Sequence, residues 1–230
     1  MTKGVMFDFS GTLFRVVSTA EWLAAFTAAG LGLPAHEQAE LVHRLEEFGA
    51  LPGGVPPRRI PPDIQQAWDT RDLTPELHRG AYTALTRAAA PPAGLDVDAL
   101  YESHRAPASW RPYPDTAPVL RELRRRGVPV AVVSNIGWDL RPVFRAHGLD
   151  ELVDSYVLSY EVGAQKPDPV IFETACAGLG LAPADVLMVG DDRTCDGGAT
   201  ALGCGFHPVE HLPVDRRPDA LLPLLAGLPG

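Results

Sequence analysis

The chain opens with a short run that is apolar at every position, Val5-Met6-Phe7, and stops at Asp8 and a Gly11-Thr12 turn. Such a run predicts a strand buried on both faces that feeds a loop. From Ser18 the apolar spacing turns helical. Ser18 and Glu21 form a capping-box pair, and Trp22, Leu23, Phe26 and Ala29 follow at helical intervals up to Gly30. Leu41, Leu45 and Phe48 mark a second helix, which the Pro-rich stretch 51–62 breaks. Thr74-Pro75-Glu76 then opens a third with a cap and a proline at the first helical position, carrying Leu77, Tyr82 and Leu85 as far as Pro91-Pro92. A short helix is expected over Val97 to His104. Residues 15–110 thus read as a helical block without strand signals.

After Trp110-Arg111-Pro112-Tyr113-Pro114 the texture changes to alternating helix and strand. A basic helix around Val119 to Arg126 precedes the apolar run Val128 to Val133, which ends at Ser134-Asn135. A helix near Leu140 to His147, a strand at Tyr156-Val157-Leu158, a helix through Phe172 and Cys176 and the strand Val186 to Val189 follow. That last strand ends at Gly190-Asp191-Asp192. A helix near Gly198 to Leu202 and a short apolar segment at Gly205-Phe206 lead into a Pro- and Leu-rich tail for which the pattern assigns no place. The three clearest strands stop at Asp8, Ser134 and Asp191, and Lys166 lies in the loop beyond the weaker one. In an open parallel sheet these positions gather at the carboxyl edge, where such sheets bind ligands.

Composition narrows the function classes. The 230 residues are 46% hydrophobic and 21% charged, the balance of a globular chain with a sizeable core. Twenty basic against 29 acidic residues give a net charge of -9, which argues against nucleic acid and anionic membrane surfaces as partners. Cys176, Cys195 and Cys204 are an odd count without metal-ligand spacing, so the expected location is a reducing cytoplasm. The N-terminal apolar stretch is too short for a signal peptide or a membrane span.

Asp8-Phe9-Ser10-Gly11-Thr12 is similar to the Asp-x-Asp-Gly-Thr motif that begins the haloacid dehalogenase-like hydrolases, with Ser10 in place of the second aspartate. Ser134, in Ser134-Asn135, resembles that family's second motif, Lys166-Pro167 its third, and Gly190-Asp191-Asp192 with Asp196 its acidic fourth. The likeness covers residues 4–16 and about 112–206. It implies a three-layer α/β Rossmannoid core of residues 1–14 and 111–230, with residues 15–110 inserted as a helical C1 cap. Only about thirty residues separate Ser134 from Lys166, too few for the alternative cap.

The resemblance also implies roles. Asp8 would be the nucleophile that forms an aspartyl-phosphate, and Mg²⁺ would be held by Asp8, the backbone carbonyl of Ser10 and Asp191, with Asp192 and Asp196 as a further ligand or behind it. Ser134 and Asn135 would meet the phosphoryl group, and Lys166 would neutralise Asp8 and the phosphate together. The substrate expected is a small phosphorylated metabolite. Asp168 reads as a helix cap. Ser10 departs from the pattern where the family's acid-base aspartate stands, and a serine hydroxyl is no general acid near neutral pH, so slow or atypical hydrolysis is expected.

Two alternatives stay open. A 2-haloacid dehalogenase shares Ser134-Asn135 and a non-acidic residue at position 10, but Asp191, Asp192 and Asp196 would oppose a halocarboxylate unless a cation were present. The other is a phospho-ligand-binding protein with weak turnover. Cap residues that could set specificity are Arg15, His43, Arg44, Arg58, Arg59, Trp68, Arg71, Arg79, Tyr82 and Arg87, with Arg58-Arg59 the best pair for an anionic group.

Overall fold

The computed structural model describes residues 2–27 and 32–228. Ala29 and Gly30, expected to close the first helix, lie outside the described residues. Strand β1 (Gly4–Phe7) is followed by the short β2 (Phe14–Val16) and by five helices: α1 (Thr19–Thr27), α2 (Ala35–Glu47), α3 (Gln65–Asp69), α4 (Pro75–Ala88) and α5 (Val97–Ser103). After β3 (Trp110–Pro112) come α6 (Thr116–Arg125), β4 (Val130–Ser134), α7 (Arg141–Ala146), β5 (Ser155–Leu158), α8 (Ser159–Val162), α9 (Pro169–Leu179), β6 (Val186–Gly190) and β7 (Gly205–Pro208).

Five strands form one parallel sheet in the order β5-β4-β1-β6-β7. The short segment at Gly205-Phe206 is its edge strand. Because successive side chains alternate across a sheet, the continuous apolar strands supply two cores. Val5, Phe7, Val130 and Val132 pack with Val119, Leu120 and Leu123 of α6 and Val143 and Phe144 of α7. Met6, Ala131, Val133 and Met188 pack on the other face with Ile171, Phe172 and Cys176 of α9. The result is the three-layer α/β Rossmannoid arrangement that the motif resemblance implies. Each such fully buried side chain contributes about 1.5–3 kcal/mol through its burial.

Local signals hold where they were specific. The Ser18 hydroxyl accepts from Glu21 N (3.2 Å) while Glu21 Oε2 accepts from Ser18 N (3.0 Å), closing the capping box at α1. Thr74 caps α4 through Leu77 N, and Asp168 caps α9 through Val170 N. The helical block differs from its expected form at both ends, because β2 and β3 pair antiparallel with Phe14 opposite Pro112 and Val16 opposite Trp110. Among the described residues no helix is long and apolar enough to cross a membrane.

Candidate active site

The carboxyl edge of the sheet brings the motif residues together. Asp8 follows β1, Ser134 ends β4, Asp191 follows β6, and Lys166 comes in from the loop between α8 and α9. The Lys166 ammonium is 3% exposed and donates to Asp8 Oδ1 (2.7 Å), Asp196 Oδ1 (2.6 Å) and the Val133 carbonyl (2.9 Å). All three of its N–H groups are thereby satisfied. Asn135 holds the lysine's backbone from both sides, donating from Nδ2 to Lys166 O (2.9 Å) and accepting at Oδ1 from Lys166 N (2.6 Å). Asn135 therefore aligns the lysine, and Ser134 is buried beside it on the cavity wall.

Asp8, Asp191 and Asp196 place one carboxylate oxygen each within 4.8 Å of one another. Burial pushes the Asp8 carboxyl up to about 8; Lys166 opposes the shift, while Asp196 and Asp191 add to it. Asp196 is raised by burial as well, against the pull of Lys166. For Lys166, burial works against the charge, but the two carboxylates outweigh it and raise its pKa. A single ammonium thus faces three clustered carboxylates, and a divalent cation taking oxygen ligands would balance them. Carboxylate oxygens in a tight group are the donor set that Mg²⁺ prefers, so these residues fit such an ion.

Asp192 stands apart from that cluster. Its Oδ1 accepts from Thr194 N (2.8 Å) and Cys195 N (2.9 Å), which commits it to shaping the turn, and its own N–H donates to Asp196 Oδ2 (3.0 Å). Of the two further ligands considered, Asp196 is the one in the cluster and Asp192 is not. Gly190 makes this turn possible, since a Cβ there would collide with the Asp196 carboxylate.

Ser10 turns its hydroxyl toward the Pro-rich loop, donating to the Gly53 carbonyl (3.2 Å), to which Arg15 Nη1 also donates (2.5 Å). Gly53 has φ +72°, and a Cβ on it would strike Ser10 Oγ and the Trp110 ring. The loop therefore closes directly over position 10.

A cavity of about 490 Å³ lies above these groups. Asp8, Ser10, Ser134, Asn135, Lys166, Asp191, Asp192 and Asp196 all line it. Arg58 and Arg59 do not. Both are exposed, their backbone N–H groups donate to the Glu47 carbonyl, and the Arg59 guanidinium lies over Phe48. The arginine on the cavity wall is Arg71, whose guanidinium sits 3.7 Å from the Trp68 ring centroid and 3.3 Å from Asp72.

Sequence reasoning missed His211, whose Nδ1 is hydrogen-bonded to Asp191 Oδ2, and Arg217, which donates to the carbonyls of Gly11 (2.6 Å) and Thr12. Both belong to the tail that the pattern left unplaced. Asp72, Trp110 and Trp138 were also missed as wall residues, and no local motif marks them.

The family profile of haloacid dehalogenase-like hydrolases matches residues 2–201. The chain belongs to that family. It is 34% identical over 140 residues to haloacid dehalogenase-like hydrolase domain-containing protein 3 of Mus musculus, covering 57% of this chain and 56% of the mouse protein. The match therefore spans little more than half the length of that relative. Over 197 residues it is 30% identical to the glyceraldehyde 3-phosphate phosphatase of Methanopyrus kandleri, covering 83% of this chain and 76% of the other. A solved dehalogenase structure superposes with a TM-score of 0.69 at 23% identity, over 100% of this chain and 98% of that one, a likeness of fold. The chain is a hydrolase of this family, and its relatives include named phosphatases.

Proposed function

We propose that this hydrolase is a Mg²⁺-dependent phosphatase or phosphotransferase for a small phosphorylated metabolite, acting through an aspartyl-phosphate on Asp8. The observation that carries the reading is the group of three carboxylates, Asp8, Asp191 and Asp196, facing one ammonium at the carboxyl edge. Without a cation that group repels any anionic substrate. The phosphatase named among the relatives, from Methanopyrus kandleri, points to the same class of chemistry.

Residues 15–110 act in this reading as a cap over a core made of 1–14 and 111–230, and the β2–β3 pair marks the two crossings between them. Asp8, the Ser10 carbonyl, Asp191 and Asp196 would hold the ion, which when bound screens the phosphate from the nucleophile. Asp8 attacks phosphorus, the ester oxygen departs with the electron pair of the P–O bond, and water then cleaves the acyl phosphate to return the carboxylate. Lys166 neutralises Asp8 and an equatorial oxygen together. Ser134 donates its hydroxyl to another, while Asn135 keeps the lysine in line. Ser10 supplies no acid to the leaving oxygen, so hydrolysis of poorly activated esters is slow. The three cysteines, none in a disulfide, fit a cytoplasmic setting for this activity.

The test is release of inorganic phosphate by the wild type and Asp8→Asn, with Mg²⁺ and with excess chelator. Turnover that needs Mg²⁺ and is lost in a normally folded Asp8→Asn protein supports the reading. Halide release from 2-haloacids in chelator overturns it in favour of a dehalogenase. A phosphate burst that does not recycle would instead make the protein a phospho-ligand binder with weak turnover.

A further inference from the structure

On that phosphatase reading, we infer that the preferred substrates are phosphate monoesters of planar aromatic alcohols carrying no second charge. The first argument is the pairing of every basic side chain on the cavity wall. Lys166 is taken by Asp8 and Asp196, and His211 by Asp191. Arg71 lies against Asp72 and donates to the Trp68 carbonyl (2.8 Å). His78 shares a hydrogen bond with the Tyr101 hydroxyl (2.7 Å) and is kept neutral by burial. Among the described residues a carboxylate or a second phosphate on the substrate would find only basic groups already charge-paired or neutral, and would meet Asp72.

The second argument is the shape of the wall. Trp68, Tyr82, Trp110 and Trp138 line the cavity from separate segments, and since Tyr82, Trp110 and Trp138 are buried and held by packing they form a rigid aromatic wall that favours a flat ligand at little entropic cost. Trp110 and Trp138 lie 5.8 Å apart, and Phe9 backs both, at 4.6 and 6.4 Å. The Trp138 indole N–H is buried and has no acceptor among the described residues, which suits a neutral hydrogen-bond acceptor on the ligand.

The third is chemical. The Asp8–phosphorus bond forms as the bond from phosphorus to the aryl oxygen breaks, and the electron pair leaves on that oxygen. An aryloxide bears the charge by delocalisation and takes its proton from solvent afterwards, so the Ser10 hydroxyl can remain on the Gly53 carbonyl throughout.

Two substrate pairs test the inference with the Mg²⁺-supplemented full chain. The first is 4-carbamoylphenyl phosphate against 4-carboxyphenyl phosphate, alike in shape and different in charge. The second is phenyl phosphate against hexafluoroisopropyl phosphate, similar in leaving-group acidity and different in planarity. Expected is a kcat/KM advantage of about tenfold or more for the amide and for the phenyl ester. Asp72→Asn, which frees Arg71, is expected to shrink or invert the amide preference, and Trp138→Leu to erase most of the phenyl preference. Equal rates within both wild-type pairs would overturn the inference while leaving the phosphatase reading intact. Phosphate release from none of the four esters would sink both.

Discussion

Lys166 is the side chain whose loss the structure makes most costly. Replacing it with methionine keeps an unbranched stem of similar length and removes an ammonium that is 3% exposed and bonded to two carboxylates and a carbonyl. Removing one partner of a buried ion pair costs about 3–5 kcal/mol, because the other charge stays buried without compensation. Here two carboxylates are abandoned, but one escape exists. Burial already pushes the Asp8 carboxyl upward, so once Lys166 is gone Asp8 can take up a proton in the variant. We therefore expect a loss near the lower limit, about 3 kcal/mol at pH 8. At about 2–4 °C per kcal/mol for a chain of this size, melting should fall by about 6–12 °C. The deficit should shrink as pH falls toward 5.5, because burial raises both carboxyls and a proton removes the charge left without its partner, and Mg²⁺ should recover part of it at pH 8. Turnover should drop about a hundred- to a thousandfold, the usual effect of removing a fixed charge from the transition state. Thermal melts at both pH values, with and without Mg²⁺, and phosphate release give the measurement. A variant that melts within about 2 °C of wild type at pH 8 and keeps kcat within about tenfold would refute the account.

Three further outcomes follow from other parts of the molecule. Once Arg15 turns from the Gly53 carbonyl to the new carboxylate, Ser10→Asp should raise turnover of alkyl phosphates by about 10²–10⁴-fold and that of aryl phosphates much less, as read from esters of graded leaving-group acidity; a flat dependence in the wild type would show that the proton comes from elsewhere. Arg217→Met removes the charged hydrogen bonds to Gly11 and Thr12 and the stack on Tyr113, so it should cost about 2–3 kcal/mol in urea titrations and lower kcat more than it changes KM. Burial lowers the His104 pKa to about 3, so the native state binds fewer protons than the unfolded chain between about pH 6.5 and 3, and stability is lost as the pH is lowered through that window. By pH 4.5 this amounts to about 3 kcal/mol, and His104→Gln should show a correspondingly flatter stability profile between pH 7 and 4.5.

What the sequence made legible is what local pattern encodes. Continuous apolar runs ending in Asp8, Ser134 and Asp191 announced both the parallel sheet and its functional edge, because strands buried on both faces must be apolar throughout. Helix starts were readable at Ser18, Thr74 and Asp168 because a cap is a contact between neighbours in sequence. The β2–β3 pair escaped notice because three residues are too few to display a period of two, and its partners are nearly a hundred positions apart. That Arg71 and not the Arg58-Arg59 pair lines the cavity escaped the sequence for a related reason. Adjacent charges in a Pro-rich loop say nothing about which way the loop faces, whereas Arg71 reaches the wall because it is stacked on Trp68. His211 and Arg217 contact residues 20 and about 200 positions earlier, and no periodicity carries such information.

Position 10 links these levels. The motif resemblance leads one to expect an acid there, and the serine found instead is part of the contact between the Pro-rich loop and the core. Ser10 and Arg15 both donate to the Gly53 carbonyl, and Gly53 can approach only because it lacks a Cβ. An aspartate at position 10 would set a carboxylate against that carbonyl, two acceptors with no proton between them unless the acid is protonated or Arg15 swings across to it. The loop that closes the cavity and the missing acid are thus two aspects of one local arrangement. On the proposed reading, a hydrogen bond that seats the loop takes the place of a proton donor, which would confine efficient turnover to substrates whose leaving groups need none. The aromatic walls and the paired cations of the same cavity select for such leaving groups, so binding and chemistry favour one class of ester through different residues.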